Sequence, residues 1–179
     1  MASPQKVRAL PNVLITGTPG TGKTLTASQV VERTGMSYFN VSELAKEGGL
    51  YEGWDEQFQS YILDEDKVVD ELNDSLVSGG CIVEYHGCDF FPERWFDAIF
   101  VLRTDNALLY DRLMKRGYNQ DKITNNVQCE IFQTILEEAR ESYSPDIVSE
   151  LTSNVPEDME RNVDLICQFI ADWQTKNDK

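Results

Sequence analysis

Short apolar runs alternate with longer amphipathic stretches along the chain. The runs at 12–16, 36–41, 81–84, 98–102 and 147–152 predict strands, and the first, NVLIT, lacks the polar alternation of a half-exposed strand. Between them the spacing predicts helices. One covers 22–34 and stops at Gly35; one or two turns fall at 42–47. A third covers 64–77, with Val68, Val69, Leu72 and Leu76 on one face. Further helices are predicted at 106–116 and 125–143, with a polar turn at 117–122 between them. A last helix opens at Pro156 and carries Val163, Ile166, Phe169, Ile170 and Trp173. Such alternation implies an α/β fold: a five-stranded parallel sheet with helices on both faces. No repeat or linker divides residues 1–179, so one domain is expected.

The break between the first strand and the first helix carries the sharpest chemistry. Residues 17–24 read GTPGTGKT and satisfy G-x-x-x-x-G-K-[ST] in full. Gly17, Gly20 and Gly22 let the backbone curl so that its N–H groups, Thr21's included, face inward. The helix start adds its positive end for a bound phosphate. Lys23 supplies a point charge for the β- and γ-phosphates, and the Thr24 hydroxyl a ligand for Mg²⁺. A P-loop nucleotide site is expected.

A phosphate loop of this kind calls for an acid at the end of a neighbouring strand, and Glu84 is placed to hold Mg²⁺ directly or through water. His86, two residues on, is the only histidine and could orient a water; Asp89 is a second carboxylate nearby. Five basic residues gather between 103 and 122. Of these, Arg112, Lys115 and Arg116 share a helix face that runs into the polar turn. Cations on a closing turn would stabilise the charge of a phosphoryl transfer, with Arg116 at the tip.

The stretch 40–63 is too irregular for a layer of the fold. Its Tyr51, Trp54, Phe58 and Tyr61 recur every three or four residues. That spacing fits the packing face of one helix; it also fits a flap that stacks a second base, with Lys46 on the acceptor phosphate. Asp64, Glu65 and Asp66 read as the acidic start of the next helix.

Acids exceed bases by 31 − 16, for a net charge of −15. That excludes sliding of the whole surface along nucleic acid, and no sequence-specific DNA binding is expected; a basic protein partner would suit it. Cys81, Cys88, Cys129 and Cys167 form no C-x-x-C pair, which argues for reduced thiols in cytosol or nucleus rather than a zinc site. The polar start gives no signal peptide, and the apolar runs are too short to cross a membrane.

Together these segments resemble the adenylate kinase isoenzyme 6 family, nucleoside monophosphate kinase-like P-loop proteins also described as coilin-interacting nuclear ATPases. The resemblance rests on the P-loop and on ILDEDKVVDEL (62–72), YHGCDFFPERW (85–95), FVLRT (100–104), RGYN (116–119) and NVQCEIF (126–132), and covers about residues 10–175. It implies a core, an acceptor-nucleotide flap at about 40–63 and a short lid at about 115–125. It implies ATP and AMP as substrates, ATPase activity, a monomer, and residence in the nucleus with some in the cytoplasm. It further implies a part in maturing the pre-ribosomal particle beside a small-subunit ribosomal protein. Gly20, Gly22, Lys23, Thr24 and Leu25 then correspond to phosphate binding and Arg116 to the lid contact. Glu84 stands where the family usually has Asp, Lys46 where it usually has Arg, and Val155 where some relatives are basic.

Overall fold

The computed structural model describes residues 8–177; the polar N-terminal start lies outside them but for Arg8. In chain order the elements are β1 (Val13–Thr16), α1 (Lys23–Thr34), β2 (Ser37–Asn40), α2 (Val41–Gly48), β3 (Tyr51–Asp55), β4 (Ser60–Leu63), α3 (Glu65–Ser78), β5 (Cys81–Glu84), β6 (Ala98–Arg103), α4 (Asn106–Lys115), α5 (Gln120–Ile131), α6 (Thr134–Ser142), β7 (Val148–Thr152) and α7 (Pro156–Asn177). The main sheet runs β2-β5-β1-β6-β7, and every pairing in it is parallel. The five expected strands are thus all present. β1 lies at the centre, so the loop that follows it opens at the carboxyl edge of the sheet, where α/β folds place their ligands.

Both faces of the sheet are buried, by side chains that alternate. Leu14, Val83, Ile99 and Val101 pack with Val68, Leu72 and Leu76 of α3 and with Leu136 and Ala139 of α6. Val13, Ile15, Ile82, Phe100 and Leu102 pack with Ala27 and Val30 of α1 and with Val163, Ile166 and Ile170 of α7. A small third cluster, Leu109 and Leu113 of α4 with Ile123 of α5, holds the lid arm together.

Two elements differ from the sequence pattern. The aromatics of 51–61 belong to no helix: β3 and β4 form an antiparallel hairpin, a two-stranded sheet of its own. The expected single helix over 125–143 is two. α5 already starts at Gln120, where the Asn119 side chain accepts a hydrogen bond from the Lys122 amide at 2.8 Å. It ends at Ile131, and Gln133 then takes φ 57° before α6 begins. The polar turn is accordingly shorter than 117–122. Asp64 caps α3 by accepting from the Lys67 amide, and Glu65 and Asp66 fill its first turn as expected.

Candidate functional site: a phosphate loop, hairpin and lid around one cavity

The loop between β1 and α1 is tightly built. Gly17 has φ +147°, and a Cβ there would stand 2.7 Å from the Leu102 carbonyl and 2.8 Å from Thr21 Oγ1. At Gly20, φ +95°, a Cβ would meet Leu109 Cδ1 at 2.9 Å. Glycine is thus required by conformation and by space. Thr21 turns its side chain into the loop, where Oγ1 donates to the Thr18 carbonyl at 2.8 Å. α1 has no acid of its own in its first turn, which suits a helix start that is to meet phosphate.

That cavity measures about 580 Å³, ample for nucleotide phosphates. Thr18, Pro19, Gly20, Gly22, Lys23 and Thr24 form its floor. Tyr51, Phe58, Ser60 and Tyr61 of the hairpin form one wall, and Arg116, Tyr118 and Lys122 the opposite rim. Glu84 and His86 close the back. The hairpin and lid already touch, since Asn119 Nδ2 donates to the Gln57 carbonyl at 3.2 Å.

Lys23 is buried and donates from Nζ to the Thr18 carbonyl at 3.1 Å. Burial pushes its pKa down to about 8; Arg116 pushes the same way, while Glu84 and Glu130 oppose. A cation held at such a cost in desolvation awaits an anion. Behind it, Thr24 Oγ1 donates to Glu84 Oε2 at 2.8 Å, and the Tyr38 hydroxyl donates to Glu84 Oε1. Burial first, then the Glu84 carboxylate, push the Tyr38 phenol well above its ordinary pKa, so it stays a donor. Thr24 and Glu84 offer adjacent hard oxygens and so fit Mg²⁺. Among the described residues no three or more His, Cys, Asp or Glu side chains gather as a metal cage. A Mg²⁺ held here would therefore draw its other ligands from phosphate and water, as Mg²⁺ commonly does.

His86 keeps an open face to solvent while protein crowds it from behind. That desolvation, followed by the charges of Lys23 and Lys122, pushes its pKa down to about 4. The imidazole is neutral at physiological pH.

The side chains of several expected site residues do not line the cavity. Lys46 is exposed on α2 and does not line the cavity, although Ala45 and Ser42 of the same helix do. The Leu25 side chain is 61 % exposed and points out. Gly17 and Thr21 shape the loop from within and do not line the cavity either. Arg112 is no lid cation: it donates to the carbonyls of Gly20 at 3.0 Å, Ser153 at 3.3 Å and Asn154 at 2.8 Å, bracing the loop. Asp89 faces a separate acidic groove with Glu52, Asp64, Glu65 and Asp66. The pattern reading missed Tyr38 and Glu130. Glu130 carried a signal, for Ile123, Val127 and Glu130 fall on one helical face, so an acid occupies a core position.

Fold and site define a P-loop kinase-like nucleotide-binding protein. Residues 13–133 match a family described as an AAA domain. A shikimate kinase from Bacteroides thetaiotaomicron shares the fold, with a TM-score of 0.57 at 13% identity, over 90% of this chain and 99% of that one. An adenylate kinase isoenzyme 6 homolog of Dictyostelium discoideum is 56% identical over 95% of this chain and 97% of its own length. Another, from Caenorhabditis elegans, is 50% identical over 99% and 98%. The chain belongs to the adenylate kinase isoenzyme 6 family.

Proposed function

We propose that this protein transfers the γ-phosphoryl group of ATP to AMP. The observation that carries the reading is the single cavity that joins the phosphate loop to an aromatic hairpin under a cationic rim. One nucleotide's phosphates would lie on the loop amides and Lys23. The acceptor's base would lie against Tyr51 and Tyr61, whose rings stack at 4.4 Å. An AMP phosphate oxygen attacks the γ-phosphorus, the bond to the β–γ bridging oxygen breaks, and two ADP result. Arg116 and Lys122 stabilise charge on the transferring group. Thr24 and Glu84 would hold Mg²⁺, which neutralises phosphate charge when bound.

ATP hydrolysis is a second activity of the same site, favoured by the neutral His86 imidazole at the cavity's back. It can accept a proton from a water and orient it. The family resemblance extends the proposal to a monomer that works in the nucleus, and in part in the cytoplasm. There it would act on the pre-ribosomal particle beside a small-subunit ribosomal protein. The net charge of −15 suits such a basic partner.

The test is ATP turnover by the purified chain with Mg²⁺, with and without AMP. Two ADP formed per ATP, dependent on AMP, is the expected result. Phosphate release indifferent to AMP would make the protein an ATPase alone.

A further inference from the structure

The phosphate loop is gripped by a second buried carboxylate. Glu130 lies in the last turn of α5 and is 2 % exposed. Its Oε1 accepts from Thr18 Oγ1 at 3.2 Å and from Arg103 Nε at 3.0 Å; Oε2 accepts from the Thr104 amide at 2.8 Å. The Glu130 carbonyl takes a further bond from Arg103 at 2.9 Å. Arg103 and Thr104 mark the end of β6, so they fix the carboxylate to the sheet. Only the bond to Thr18 reaches the phosphate loop.

Thr18 is the residue that holds Lys23. Its carbonyl accepts the Lys23 ammonium at 3.1 Å as well as the Thr21 hydroxyl. Its own hydroxyl is committed to Glu130. The other end of the same helix carries the lid. Lys122, Asn125, Asn126 and Cys129 line the cavity along α5, and Asn119, its cap, touches the hairpin. One α5 rod therefore joins the rim cation Lys122 to the residue that sets the position of the phosphate-binding lysine.

The geometry points to Glu130 as a positioning residue for phosphoryl transfer: through Thr18 it fixes the phosphate loop, and with it Lys23, relative to the lid arm. Its charge is balanced by Arg103, and a lost hydrogen bond to a charged group at a crowded loop displaces a cation whose worth depends on placement. The effect falls on the chemical step more than on ATP binding, which the backbone amides and helix end sustain. The inference rests on the reading of this cavity as an ATP-using site.

Thr18→Val removes the hydroxyl at nearly constant shape and leaves the Glu130–Arg103–Thr104 cluster intact. The expected result is a kcat roughly tenfold lower, with equilibrium ATP affinity within about twofold and an unchanged melting temperature. Thr18→Ser should restore kcat. In the cycle with Glu130→Met, which keeps the length of the side chain but has no carboxylate to accept from Thr18, the double variant should be no slower than Glu130→Met alone, because both remove one link. Wild-type kcat in Thr18→Val would overturn the inference. So would a loss in ATP affinity with kcat unchanged, or effects that multiply in the double variant. Should Glu130→Met fail to fold, the Val and Ser pair decides alone. Rates are taken both as AMP-dependent ADP formation and as AMP-independent phosphate release. An absence of the former in the wild type refutes the kinase reading, and the latter still decides the role of Glu130.

Discussion

The phosphate loop and the hairpin with its lid bound the same cavity but are built in opposite ways. In the loop almost every polar group has an internal partner: Thr18 with Glu130, Thr21 and Lys23 with the Thr18 carbonyl, Arg112 with the Gly20 carbonyl, Ser153 Oγ with the Thr21 carbonyl at 2.6 Å. In the hairpin, Trp54 is 45 % and Tyr61 61 % exposed, and Arg116 stands in solvent. One side-chain hydrogen bond, from Asn119, ties lid to hairpin. On the proposed reading, the donor-phosphate side is organised by folding, while the acceptor side would be organised by its ligand. Preorganised groups act on the transition state; exposed aromatics gain their contacts when a base covers them.

The comparison breaks most visibly at Lys23. Lys23→Met should lower turnover by about 10²–10³-fold, the order seen when one preorganised donor is removed from a desolvated site. It should also stabilise the nucleotide-free protein at pH 7. The folded pKa of about 8 lies below the ordinary value of 10.5, so the charged form is disfavoured by folding. That penalty is in full force below pH 8 and fades as pH rises toward 10.5. The gain, ~1–3 kcal/mol from removing a poorly solvated charge, should be seen by thermal melts at pH 7 and shrink by pH 10.5. A variant that loses both activity and stability would show that Lys23 is a fold residue first.

His86 should separate the two chemistries proposed for the site. With the imidazole neutral, its service is to a water, and AMP phosphorylation needs none. His86→Ala should therefore lower ATP hydrolysis by about 10²-fold, the low end for an orienting base, and AMP phosphorylation far less. Both rates are measured on one preparation at saturating Mg²⁺. Equal losses would make His86 a shared or structural residue. Because the folded pKa is lowered to about 4, hydrolysis should be flat from pH 6 to 8 as far as this group is concerned.

The same contrast governs what the sequence could reveal. The loop was legible because its chemistry fixes residue types at fixed spacing, and β1, β5 and β6 because each carries at least three apolar residues in a row. The hairpin and the α5–α6 break were not. Each depends on a glutamine in the left-handed region, Gln59 at φ 49° and Gln133 at φ 57°, the only non-glycine residues with positive φ among those described. With no Gly or Asn at either corner, pattern reading runs straight through. The hairpin aromatics then mimic a helical stripe, because Tyr51 and Tyr61 approach across two strands and not along one helix. Tyr38 was hidden for another reason: its role lies in a partner, Glu84, that only the β2–β5 register brings alongside.

Arg116 tests the lid half of the contrast more gently. It is exposed and has one long contact, to the Tyr118 hydroxyl at 3.5 Å. Such a group contributes when the lid closes on a charge that grows during transfer. Arg116→Ala should lower kcat about tenfold and leave ATP affinity within about threefold. The reverse split, in equilibrium binding and steady-state rates, would place Arg116 with the preorganised loop residues.

The smallest expected effect lies at Tyr61. Its ring stacks on Tyr51 at 4.4 Å with an interplanar angle of 12°, and meets Trp54 edge-on at 4.8 Å. The ring is 61 % exposed, so the fold gains little from it and its truncation should leave the melting temperature within about 1 °C. A base stacked on an aromatic ring typically contributes ~1–3 kcal/mol, and Tyr51 would keep part of that. Tyr61→Ala should therefore raise KM for AMP by about five- to tenfold, while KM for ATP and kcat at saturating AMP stay near wild type. Tyr61→Phe keeps the ring and should behave as wild type. An effect confined to ATP would put the donor base, not the acceptor, on the hairpin and reverse the assignment of the two nucleotides. A loss of stability with no change in KM would return the hairpin aromatics to packing and leave the acceptor side undefined by stacking.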